Sequence, residues 1–176
     1  MALIQLTTRI AAPVERVFDL ARSIDAHMAS TSQSGERAVE GRTSGLINAG
    51  ETVTWEATHF GVKQRLKVKI TKLERPFLFE DEMISGAFSS MTHQHRFEES
   101  NGETKMSDRF EYQAPLGFLG RIAESLFLTK YMKSFLKKRN EELKEMAESD
   151  RWRNYINEDA HQGAAHNVRK RNPQSL

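Results

Sequence analysis

From Val53 to Tyr112 the chain alternates apolar and polar residues in short runs broken by tight-turn signals, and from Phe118 to about Glu148 the period becomes helical and stays so. This pairing limits the fold. Consecutive strands joined by short turns pair as an antiparallel meander, whose apolar face needs a cover. The only long apolar helix available is the last one.

The strands are specified in detail. Val53, Trp55, Ala57 and His59 share one face of the first strong strand, and Val62, Gln64, Leu66, Val68 and Ile70 share one face of the next. A two-residue turn at Phe60-Gly61 pairs His59 with Val62, Ala57 with Gln64 and Trp55 with Leu66, so that all point to one side. Lys63, Arg65, Lys67 and Lys69 fall on the other face, as a solvated surface requires. Phe77, Phe79, Asp81 and Met83 begin a third run, which Ser85-Gly86 ends. Met91, His93, His95 and Phe97 form a fourth. After the turn signal Ser100-Asn101-Gly102 comes the row Thr104, Met106, Asp108, Phe110 and Tyr112.

Upstream, Ile4, Leu6, Thr8 and Ile10 give an opening strand. Pro13 then suits a first helical turn, with Val14, Val17, Phe18 and Ala21 at helical spacing. A second short helix is expected over Ile24 to Ala29 and a weak strand over Glu36 to Gly41. Gly41, Gly45 and Gly50 mark a loop expected to be mobile at a cavity mouth. The final helix, about 30 residues and so about 45 Å long, carries the stripe Leu119, Ile122, Leu126, Met132, Leu136, Leu143 and Met146. The expected class is α+β: a curved antiparallel sheet of six to seven strands wrapped round a long C-terminal helix, with two short helices after the first strand. The domain is expected over 1–149, followed by a polar, disordered tail over 150–176. A twisted sheet closing on one helix leaves space between them, so an internal cavity is expected.

Composition removes several functions. The chain has no cysteine, which excludes disulfides, thiolate metal sites and cysteine nucleophiles. A formal net charge of +2 gives no argument for a nucleic-acid partner. The N-terminal run is amphipathic and carries Arg9, Glu15, Arg16 and Asp19, so no secretory leader is read there, and the expected location is cytoplasmic. No stretch approaches the roughly 20 apolar residues of a membrane span, which leaves peripheral membrane contact as the open membrane role. Gly-x-Ser-x-Gly is absent and no glycine-rich phosphate loop follows a strand, so no cofactor is expected.

The inward rows contain polar groups where a plain core would be apolar: His59, Gln64, Asp81, His93, His95 and Asp108. If Asn101-Gly102 forms a two-residue turn, His95 faces Asp108. A four-residue loop puts His93 there instead. Such a pair can pin strand register, anchor a carbonyl or hydroxyl of a ligand, or act as a general base. His93-x-His95 with Asp81 and Asp108 has the donor types of a zinc or iron site, but strand His-x-His is a weak signal and no metal is expected. The candidate ligand-binding set is Trp55, His59, Gln64, Leu66, Phe79, Asp81, Met83, Met91, His93, His95, Met106, Asp108, Phe110, Phe118, Ile122 and Leu126, with His93, His95 and Asp108 as candidate catalytic groups. Lys130, Lys133, Lys137, Lys138 and Arg139 alternate with Glu141, Glu142 and Glu145 and read as a solvated face. Arg169-Lys170-Arg171 supplies a weak anionic contact at most.

Specific segments also resemble a known group. Ile10-Ala11-Ala12-Pro13-Val14-Glu15-Arg16-Val17-Phe18 is similar to the strand-to-helix opening of the START/Bet v 1-like helix-grip superfamily, also called SRPBCC or polyketide cyclase/dehydrase-like. Pro76-Phe77, Phe79 through Gly86-Ala87-Phe88, His93 through Phe97, Asp108 through Tyr112 and Pro115-Leu116-Gly117 resemble a bacterial and plastid branch of it, sometimes labelled cell-division-inhibitor-like. The resemblance runs over roughly residues 3 to 146. It implies the helix-grip fold and binding of something apolar, in a superfamily of which a minority catalyse reactions; with no nucleophile motif in the chain, the expected function is non-catalytic binding or transport of a small hydrophobic ligand (lipid, quinone or polyketide-like). The alternatives are a cyclase, dehydratase or hydrolase using the inward His–Asp pair, and a protein-interaction module acting through the basic helix face or tail.

Overall fold

The computed structural model describes residues 1–114 and 127–156. In chain order these form β1 (Ala2–Ile10), α1 (Val14–Ala21), α2 (Ile24–Ser30), β2 (Arg37–Gly41), β3 (Thr52–His59), β4 (Val62–Glu74), β5 (Leu78–Ser85), β6 (Ser90–Ser100), β7 (Glu103–Gln113) and α3 (Thr129–Glu148), with 3-10 turns at Ser32–Ser34 and Asp150–Asn154. All seven strands lie in one antiparallel sheet in the order β1-β7-β6-β5-β4-β3-β2. The meander is the expected one, and β1 closes against β7.

Turn chemistry sets the two key registers. Phe60-Gly61 and Asn101-Gly102 each place both central residues at positive φ, the twist-matched hairpin geometry, and both turns have two residues. His59 therefore pairs Val62, Ala57 pairs Gln64, Trp55 pairs Leu66, and His95 pairs Asp108. Register shifts at Ala38/Glu40, Lys67/Val68 and Ile70/Lys72 interrupt the ladder on the β2–β5 side, and such bulges bend a sheet. At the end of β5, Gly86 sits so close to β4 that a Cβ there would lie 2.8 Å from the Arg65 carbonyl oxygen.

Two apolar clusters divide the interior. One joins Phe18 of α1 to Phe79, Phe97 and Met106 of the sheet and to Leu143, Met146 and Ala147 of α3, with Phe18 meeting Phe79 and Phe97 edge-on at 5.6 and 5.2 Å. The other joins Ile4, Trp55, Val68, Met91, Phe110 and Tyr112 of the sheet to Leu136 of α3.

Four expectations need correction. The domain does not end at 149: Trp152 and Ile156 are buried in the Phe18 cluster, because the 3-10 turn folds the chain back onto it. The loop after β2 is tied down, with Ile24 N–H donating to the Gly45 carbonyl, Ile47 N–H to the Arg22 carbonyl, and Ile47 buried. Phe77 does not join the apolar row but precedes β5 and is exposed. Arg139 does not sit on the solvated face: it is buried, as is Asn140. Residues 115–126 and 157–176, and with them Phe118, Ile122, Leu126 and the Arg169-Lys170-Arg171 cluster, lie outside the described residues. Among the described residues no helix is long and apolar enough to cross a membrane.

Candidate functional site

Between α3 and the sheet lies a cavity of about 330 Å³. Trp55, Ala57 and His59 of β3, Gln64, Leu66 and Val68 of β4, Asp81 of β5, Met91 and His93 of β6 and Phe110 of β7 form the sheet wall. Each comes from the inward parity of its strand, as period-two alternation demands. Tyr131, Met132, Phe135, Leu136 and Arg139 form the helix wall, and His27, Glu36, Phe60, Arg65, Ala87, Phe88 and Leu128 complete the lining. A second void of about 70 Å³ adjoins, bordered by Phe79 and His95 and sharing Trp55, Asp81 and Arg139 with the first.

Of the sixteen candidate ligand residues, Trp55, His59, Gln64, Leu66, Asp81, Met91, His93 and Phe110 line the larger cavity, and Phe79 and His95 reach the smaller void. Met83 packs on the Trp55 cluster, Met106 is fully buried beside Phe97, and Asp108 stands behind the histidines. None of the three lines either void.

Asp108 is the centre of the polar group. Its Oδ1 lies 3.2 Å from His93 Nε2 and 2.7 Å from His95 Nδ1, although the latter approach is off the line of a hydrogen bond. Its Oδ2 accepts from Asn140 Nδ2 at 2.6 Å. Burial alone would raise this carboxyl, but the bond from His93 and the close approach of His95 outweigh it and hold Asp108 well below the usual carboxylate range. Burial, reinforced by the neighbouring His93, pushes His95 down to about 3, so its ring is neutral at physiological pH. Burial also raises Asp81, which lies across from His93 on β5. The two-residue turn is the one that forms, with His95 paired to Asp108; the four-residue loop does not form, and His93, paired to Phe110, reaches Asp108 diagonally on the same face.

His93 is the one histidine of the pair that is both bonded to Asp108 and on the wall of the larger cavity. Asp81, His93 and His95 also bring donor atoms within 4.8 Å of one another, the spacing of a three-ligand metal site. Against a cation there, His93 is turned toward Asp108, and the Arg139 charge acts on both Asp81 and His95.

Further from this group, His59 Nδ1 and Tyr131 Oη lie 2.7 Å apart, linking β3 to α3. Phe60 packs on Tyr131 and Phe127, and Phe60, Val62 and Phe127 are exposed. His27 stacks on Trp55 with ring centres 4.1 Å apart and meets Glu36 Oε2 at 3.1 Å. Burial pushes Glu36 up, but His27 outweighs it and the carboxyl falls below its usual value.

Sequence reasoning missed His27, Glu36, Tyr131, Arg139 and Asn140. For the last two a signal existed. They lie three and four residues after Leu136, and four and three before Leu143, and so occupy the apolar stripe itself.

Comparison with known proteins places the fold. The family model described as polyketide cyclase / dehydrase and lipid transport matches residues 1–148. No curated protein is significantly similar in sequence. Among solved structures, TTHA0849 from Thermus thermophilus is 18% identical, with a TM-score of 0.69 over 83% of this chain and 97% of that one. A START superfamily protein from Mycobacterium smegmatis is 10% identical, with a TM-score of 0.63 over 83% and 97%. The major latex-like protein 151 of Panax ginseng is 15% identical, with a TM-score of 0.61 over the same shares. At these identities the likeness is one of fold.

Proposed function

The chain belongs to the polyketide cyclase/dehydrase and lipid transport family, and on that premise we propose that it binds a small, largely apolar molecule in the cavity between α3 and the sheet. One observation carries this reading: a void of about 330 Å³ whose walls include Trp55, Leu66, Val68, Met91, Phe110, Met132, Phe135 and Leu136, with polar side chains set among them. Small-molecule sites run from roughly 300 to 1,000 Å³ and have this composition. Tyr131, Phe60 and Phe127 extend the apolar surface from the cavity to the outside of the protein. Binding, with transfer of the bound molecule as its use, needs no further chemistry from the chain.

The test is titration with N-phenyl-1-naphthylamine, a neutral fluorophore that brightens in apolar surroundings. The expected result is saturable enhancement at one probe per chain, with quenching of Trp55, the tryptophan that lines the cavity. A linear, non-saturating rise with no effect on tryptophan emission overturns the reading.

A further inference from the structure

Arg139 has no role in the reading so far. It is only 4% exposed, yet its Nε and Nη1 have no hydrogen-bond partner, and Nη2 donates once, to the Ala21 carbonyl at 3.3 Å. Among the described residues no carboxylate forms an ion pair with it. Arg139 lines the larger cavity and the smaller void alike. Arginine does not lose its proton inside proteins, so a buried guanidinium with unused donors calls for an acceptor that the chain does not supply.

We infer that the cavity takes an amphipathic monoanion, an apolar body carrying one carboxylate, and that Arg139 receives the carboxylate. This rests on the cavity being a binding site and names the class of ligand. The chemistry fits on three counts. The rest of the helix wall (Met132, Phe135, Leu136) and the facing Trp55, Leu66 and Val68 offer an apolar body only dispersion contacts. Charge-assisted bonds from guanidinium to carboxylate are the strong class, and stronger still away from water. A single charge is the limit. Glu36 and Asp81 share this lining and Asp108 lies just behind it, so a phosphate dianion would meet carboxylates as well as Arg139.

The sequence placed this residue on the apolar stripe at the one turn where the helix crosses the polar region. Asn140 beside it serves Asp108, and Arg139 is left for the cavity. The two neighbours therefore divide the work, one holding the protein together and the other facing the guest.

The experiment is displacement of bound N-phenyl-1-naphthylamine by three matched competitors below their aggregation limits: decanoate, methyl decanoate and decan-1-ol. Wild-type protein is expected to release the probe at concentrations at least about tenfold lower with decanoate than with either neutral competitor. Arg139→Gln should bring the three within about twofold of one another while the neutral probe still binds, and Arg139→Lys should keep part of the preference. Lys133→Gln, a change to an exposed charge on the same helix, should leave the preference intact. Equal displacement by acid and ester in the wild type overturns the inference and leaves the binding reading standing. Failure of the probe itself to bind overturns both. If Arg139→Gln does not fold, the wild-type comparison and Arg139→Lys still decide, because an acid preference unchanged in Arg139→Lys and abolished in Lys133→Gln would assign the carboxylate to the surface.

Discussion

Asn140 on α3 donates to Asp108 on β7 at 2.6 Å, a buried bond that joins the closing helix to the strand beside the β1 edge of the sheet. The other carboxylate oxygen is taken by His93, with His95 close by. Asp108 is 3% exposed, so its removal strands buried donors on two elements. Asp108→Ala should cost about 3 kcal/mol or more, and Asn140→Ala less, about 1–3 kcal/mol. The double variant should show a coupling above about 0.5 kcal/mol, because the two changes remove a shared bond. Urea unfolding at neutral pH measures all three. Additive effects would mean that the helix and sheet do not depend on this bond.

His95 makes stability depend on pH in a direction that can be worked out. Its folded value is pushed down to about 3 from 6.5, first by burial and then by the charge of His93. Below pH 6.5 the unfolded chain takes a proton that the folded chain refuses. Stability from this group is full above 6.5 and falls as pH drops toward 3, by up to about 1.4 kcal/mol per pH unit. Asp81 acts in the opposite sense: its raised folded value makes its contribution full below 3.8 and lost as pH rises through that folded value. The urea midpoint should therefore be lower at pH 5 than at pH 7, and His95→Gln should shrink the gap. An equal gap in wild type and variant would remove His95 from the account.

The sheet was legible because its signals are local. Alternation gave the inward rows, and Phe60-Gly61 and Asn101-Gly102 set two registers through turn geometry alone. The helix-facing polar pair was harder to read. Lys137, Lys138, Arg139 and Asn140 form a continuous polar run, and only their phase against Leu136 and Leu143 shows that two of the four turn inward. His27, Glu36 and Tyr131 carry no pattern signal, since their roles come from contacts between elements: α2 with the segment before β2, and β3 with α3. Glu56 misleads in another way. It lies on the outer face of β3, yet Lys63, Arg65 and Arg37 cover it, and Lys63 first among them brings its carboxyl down to about 2.

The end of the domain is a matter of packing, which composition hides. The segment after Glu148 is mostly polar, but Trp152 is buried against the Phe18 cluster and Arg16 lies over its ring at 4.5 Å. Trp152→Ala should cost about 3–5 kcal/mol. A chain cut after residue 156 should melt close to the full-length protein, whereas one cut after 149 should lose many degrees or fail to fold. Calorimetry on the two truncations separates the cases, and equal melting temperatures would put the boundary back at 149.

The cavity can be probed without any ligand in mind. Ala57 faces it from β3, in a strand position where an aromatic residue is favoured over alanine. In a tightly packed interior, Ala57→Phe would overfill the space and cost about 1–3 kcal/mol. In a real void, the added ring gains apolar burial at about 25 cal/mol per Å² and displaces nothing but the guest. The expected outcome is an unchanged or raised melting temperature together with at least tenfold weaker binding of N-phenyl-1-naphthylamine. The pairing of the two readouts carries the argument: a variant that is destabilised and still binds the probe would place the probe elsewhere and the void in doubt, while a stable variant that no longer binds locates the site between β3 and α3.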